Sequence, residues 1–174
     1  MQGKTKVKYT FMAANCGRQP KTDRSERSFF ERTFKNLIHC QWSITGEAAP
    51  NYNCIAWSVG ETTAWYVDVA TSKVHPTDIA IDDVWGNGDG VMTVSELDAF
   101  YDAKCYVPTG TNANDADVMF YSLFHGARRK SCHCMAVLRP VFESKCGAAH
   151  RVEHVWDQLN GTTYGTPVRF YKHK

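Results

Sequence analysis

The sequence predicts an α+β fold in a single domain over residues 1–174, with N-terminal helices, one of them carrying Cys54, packed on a C-terminal antiparallel sheet. Three observations predict it. Apolar residues recur at helical intervals at Phe30, Phe34, Leu37 and Ile38, and again at Val94, Leu97, Phe100 and Tyr101. From Val118 onward, short aromatic and β-branched runs alternate with turn signals. The chain of 174 residues is 43% hydrophobic, enough for one core, and shows neither an internal repeat nor a linker.

Taken in order, Val7, Tyr9 and Phe11 suggest a short strand, followed by a polar arm with Gly17, Pro20 and Asp23. Ser28 and Glu31 have capping-box spacing, which places a helix over about 25–39. Residues 41–45 alternate like a strand, and a turn through Gly46 and Pro50 leads to Asn53. Asn53 is a preferred N-cap type, so residues 54–59 form a short apolar helix that Gly60 closes. Residues 62–80 carry a mixed pattern that selects no element. A second long helix covers 94–104, and a loop rich in Gly, Asn and Thr covers 108–115. Strands are expected at 118–121, 132–138, 141–144 and 166–171, with His125 in an exposed loop and 150–154 in a short helical segment.

Charge and composition exclude several functions. Lys and Arg number 20 against 18 Asp and Glu, without a long basic run, so no nucleic-acid surface is expected. No apolar run is long enough to insert in a membrane, and residues 1–7 lack the apolar stretch of a secretory signal. Synthesis in the cytoplasm without a signal peptide is expected, and a signal-independent route into a target cell would leave no trace. The seven cysteines are odd in number and scattered, so they read as reduced thiols.

Cys54 carries the most chemistry. In the first helical turn, unpaired N–H groups and the positive helix end favour a thiolate, the nucleophilic form. The competing reading is a cysteine that fills space in the core. A cysteine nucleophile needs a histidine base and a polar group that orients the ring. His133, on an otherwise apolar strand face with Met135 and Val137, is the first candidate, and His125 the second. Glu143 or Ser144, on the next strand, would orient the ring, and Lys145 could face a developing oxyanion. Zinc at Cys132, His133, Cys134 and Cys146 is disfavoured, because neighbours on a strand point to opposite faces.

Residues 87–96 match the back of an EF-hand loop inserted at about 82–96. Asn87, Asp89, Thr93 and Glu96 would supply side-chain oxygens and Val91 a carbonyl. The first ligand position falls on Trp85, and no entering helix is evident. Such a site would hold one structural calcium, with no cofactor needed for catalysis. The bland alternative is a Gly-rich turn capping the helix that starts near Val94.

Asn53-Cys54-Ile55-Ala56-Trp57, the His133 strand, Ser144-Lys145-Cys146-Gly147, Val152-Glu153-His154 and Tyr164-Gly165 together resemble a family of small bacterial proteins. Its pattern runs Asn-Cys-Ile-Ala-Trp, Thr-His-Ala-Ala-Arg, Trp-x-Ser-Lys-Leu-Gly, Asp-Ile-Glu-His and Tyr-Gly. The chain departs at Cys132, Cys134 and Met135 around the histidine, and at Arg151, where an acid is usual. The order Cys, His, polar residue also resembles papain-like and NlpC-like cysteine hydrolases and, more weakly, the TecA type of secreted effector that deamidates host Rho-family GTPases. The resemblance implies a papain-like core and a cysteine amidohydrolase: a deamidase or amidase, acting as a bacterial effector or toxin on a protein substrate such as a host small GTPase. The alternative is a non-enzymatic, calcium-stapled binding domain with Cys54 in its core.

Overall fold

The structure, a computed structural model, describes residues 24–67, 83–84, 93–130 and 139–174. Among these, the chain order is α1 (Arg24–Thr33), β1 (Trp42–Gly46), α2 (Cys54–Ser58), β2 (Tyr66–Val67), β3 (Asp83–Val84), α3 (Val94–Ala103), β4 (Tyr106–Pro108), β5 (Val118–Tyr121), β6 (His125–Arg129), β7 (Val141–Lys145), β8 (Arg151–Val155) and β9 (Pro167–His173). Seven of the strands form one antiparallel sheet in the order β1-β8-β7-β6-β5-β9-β4, while β2 and β3 pair in parallel. The fold is α+β.

Strand β5 shows why the sheet has helices on both faces. Met119 and Tyr121 join the core that includes Phe30 and Phe34 near α1, together with Trp42 and Phe142. Val118 and Phe120 point the other way, into a core with Ile55, Trp57, Leu97 and Tyr101 from α2 and α3. All four residues are therefore buried, as in a strand covered on both sides. Asp98 of α3 accepts hydrogen bonds from Arg169 and from the Tyr171 hydroxyl at 2.8 Å, which ties the second face to β9.

Asn53 caps α2 as its sequence position suggests: its side chain accepts the Ala56 N–H at 3.1 Å and donates to the Tyr66 carbonyl. Gly60, at φ +86°, follows the helix in a conformation few other residues adopt. Helix α3 begins with a capping box between Thr93 and Glu96.

Several sequence expectations change. Helix α1 ends at Thr33, not near residue 39. The Thr33 hydroxyl bonds back to the Phe29 carbonyl at 2.9 Å, and Phe34 and Leu37 reach the same core from a turn. His125 opens a strand and is fully buried, where an exposed loop was expected. Residues 151–155 form β8, not a helical segment, because the sheet requires a strand between β1 and β7. The expectation of reduced thiols fails at Cys40, which is disulfide-bonded, while Cys54, Cys105 and Cys146 are free. The expected strands at 7–11 and 132–138 lie outside the described residues.

Candidate functional site

The site forms where β6 begins. Gly126 allows α2 to lie against this strand, since a Cβ there would stand 3.0 Å from Ser58 Cβ and 3.2 Å from the Cys54 carbonyl oxygen. The β6–β7 ladder reaches only to the pair Ala127 and Ser144, leaving the preceding peptides of β6 to other partners. Cys54 takes that place. Its thiol donates to the Phe124 carbonyl at 3.6 Å, and the Gly126 N–H bonds to its sulfur, so the thiol lies against the peptides on either side of His125.

The His125 ring packs face to face with Tyr164, with centroids 3.6 Å apart, and its Nε2 lies 2.9 Å from Ser144 Oγ. Ser144 Oγ in turn lies 2.8 Å from His154 Nε2, and His154 Nδ1 lies 2.9 Å from the Val155 carbonyl. These contacts determine the protons. A carbonyl only accepts, so His154 carries its hydrogen on Nδ1. Burial pushes the His154 ring down to about 4, so at neutral pH its Nε2 is a bare acceptor. The single Ser144 hydroxyl proton must go there. Ser144 therefore accepts from His125, whose one hydrogen sits on Nε2. What remains on His125 is the Nδ1 lone pair, buried and without a hydrogen-bond partner among the described residues.

Electrostatics correct one expectation. Burial pushes the Cys54 thiol above its ordinary value, against the lowering effect of the N–H groups of Gly126, Cys54 and Ile55 and of the Lys145 charge. A five-residue helix has little dipole with which to overcome desolvation. Burial, with a contribution from His154, holds the His125 ring well below its usual range. The resting pair is a neutral thiol and a neutral imidazole. Nearby, burial pushes the Cys146 thiol up to about 12 although Tyr164 hydrogen-bonds to it, and burial brings the Lys145 ammonium down to about 8.

Of the residues singled out from sequence, Cys54 and Ser144 lie at this corner. Glu143 points to the opposite face from Ser144 and pairs with Lys130 at 3.2 Å. His133 lies outside the described residues, as do Asn87, Asp89 and Val91. The remaining calcium candidates, Thr93 and Glu96, cap α3: the Thr93 N–H donates to Glu96 Oε2 at 2.9 Å. Sequence reasoning held His154 and Tyr164 in the family pattern but gave them no part in the site, and it ranked His125 second. A signal was present. Against the motif His-Ala-Ala-Arg, His125-Gly126-Ala127-Arg128 agrees at three of four positions, and His133-Cys134-Met135-Ala136 at one.

Over residues 43–172 the chain matches a family described as a domain of unknown function (DUF7689). No curated protein and no solved structure matches it.

Proposed function

The chain belongs to the DUF7689 family, and for it we propose a papain-like cysteine amidohydrolase in which Cys54 is the nucleophile and His125, in place of His133, the base. The observation that supports the reading is the buried Nδ1 lone pair of His125, which the relay through Ser144 to His154 leaves without a partner among the described residues, on the residue whose flanking peptides hold the Cys54 thiol; the thiol rests on the Phe124 carbonyl and turns to Nδ1 for the attack. In the attack, His125 Nδ1 takes the thiol proton while Cys54 Sγ bonds to the amide carbon. The negative charge on the carbonyl oxygen is met by the N–H groups around Cys54. His125 returns the proton to the leaving amine, which departs as the carbon–nitrogen bond breaks. Water, deprotonated by His125, then hydrolyses the thioester and restores the thiol.

A neutral resting pair suits this scheme, because the proton moves only as the carbon–sulfur bond forms. Ser144 and His154 act by positioning the ring. Deamidation of a glutamine or asparagine in a protein is the preferred reaction, with an effector or toxin role in a target cell as its setting.

The test is alkylation of Cys54 by iodoacetamide near neutral pH, read by peptide mass spectrometry. With a neutral thiol the rate depends on removal of its proton by the base, so labelling is expected to be equal in the wild type and in His133→Ala, and slower by at least about tenfold in His125→Ala. Labelling that slows only in His133→Ala removes His125 from the scheme. Labelling that stays slow in every folded variant returns Cys54 to the core and favours the non-enzymatic binding domain.

A further inference from the structure

Beside Cys54, on the face of the sheet that α2 covers, two cations stand directly opposite each other. Lys145 of β7 and Arg151 of β8 are cross-strand partners, an arrangement in which like charges repel. Lys145 is fully buried, and its ammonium lies 5.0 Å from the Tyr52 ring and donates to the carbonyls of Gly147 and Ala149. The Arg151 guanidinium lies 4.5 Å above the Trp57 ring, and Gly46 makes room for it, since a Cβ there would overlap Arg151 Nε. That Nε–H is buried and has no acceptor among the described residues.

No carboxylate among the described residues ion-pairs with either cation; of the pair one step further along this face, Glu143 is taken by Lys130, and Glu153 is buried opposite it without an ion pair to Arg151 or Lys145. Burying Lys145 and the Nε–H of the half-buried Arg151 without a direct anionic contact carries a cost that a bound anion removes. The place of the pair says what the anion does. Tyr52 and Trp57, the rings that hold the two cations, flank Cys54 in sequence, one just before the Asn53 cap and the other within α2.

We propose that Lys145 and Arg151 form an anion subsite that receives a carboxylate of the substrate beside the amide attacked by Cys54. The catalytic part of this statement rests on the proposed amidohydrolase. The subsite narrows the substrate class to amides that carry a carboxylate within a few bonds of the reacting carbonyl, such as glutamine or asparagine next to an acidic residue or at a chain terminus.

The test compares iodoacetate with iodoacetamide as alkylating agents of Cys54 in the full chain, at matched ionic strength, in the wild type, Arg151→Gln and Arg151→Lys. The ratio of the two rate constants cancels general changes in thiol reactivity. The ratio for iodoacetate over iodoacetamide is expected to fall on the order of tenfold in Arg151→Gln and to recover in part in Arg151→Lys. An unchanged ratio overturns the subsite and leaves the nucleophile standing. Slow alkylation by both reagents in the folded wild type overturns the nucleophile, and the subsite is then decided without it. Glutarate at matched ionic strength should raise the thermal midpoint of the wild type saturably and of Arg151→Gln much less, and equal shifts overturn it.

Discussion

Acidification from pH 8 to 5 should destabilise this fold, because the relay is built from two buried neutral histidines. His154 has its folded pKa depressed by burial from 6.5 to about 4. The unfolded chain therefore takes up this proton first. Stability present above pH 6.5 is lost as the pH falls, and the loss levels off below about pH 4. With those two values, His154 alone removes about 2 kcal/mol between pH 8 and pH 5, and about 3 kcal/mol once both states are protonated. His125, also held down by burial and by His154, acts in the same direction. Glu61 is raised by burial but brought down overall by its hydrogen bonds to Lys104 and Tyr66, so its contribution falls away only below its ordinary value of 4.5. The window from pH 6.5 to 5 thus belongs to the histidines. Urea unfolding at pH 8, 6.5, 5.5 and 5 should show a falling midpoint at constant m, with a shallower fall in His154→Gln. A wild-type stability that holds within about 0.5 kcal/mol from pH 8 to 5 would refute the neutral relay.

Three further outcomes follow from the same geometry. Ser144→Ala leaves a donor on His125 and an acceptor on His154 unpaired in the core, a loss of about 2–5 kcal/mol by urea unfolding; a loss under about 1 kcal/mol would mean that the hydroxyl bridges nothing. Gly126→Ala pushes against Ser58 and the Cys54 carbonyl, so it should cost about 1–3 kcal/mol and slow alkylation of Cys54, whereas unchanged kinetics would place the thiol elsewhere. Cys105 is exposed at φ +66°, so Cys105→Gly should raise stability by roughly 0.5–1 kcal/mol in thermal unfolding, and a lower midpoint would contradict that backbone conformation.

Sequence alone determined the features that depend on neighbours a few residues apart. Asn53 before an apolar run caps α2, short aromatic and β-branched runs mark β5 and β7, and helical spacing from Val94 marks α3, whose start the structure closes with Thr93 and Glu96. It also placed Ser144 on a strand where it could orient a histidine. The tertiary structure decided which histidines Ser144 meets. His125, Ser144 and His154 belong to β6, β7 and β8, and they meet only because three strands pair in one register, a property set by how all their side chains share two cores. Burial is likewise a sum over distant neighbours. It pushes Cys54 towards the thiol and keeps neutral a histidine expected in solvent, while strand pairing sets Lys145 against Arg151 across β7 and β8, none of which local spacing can express.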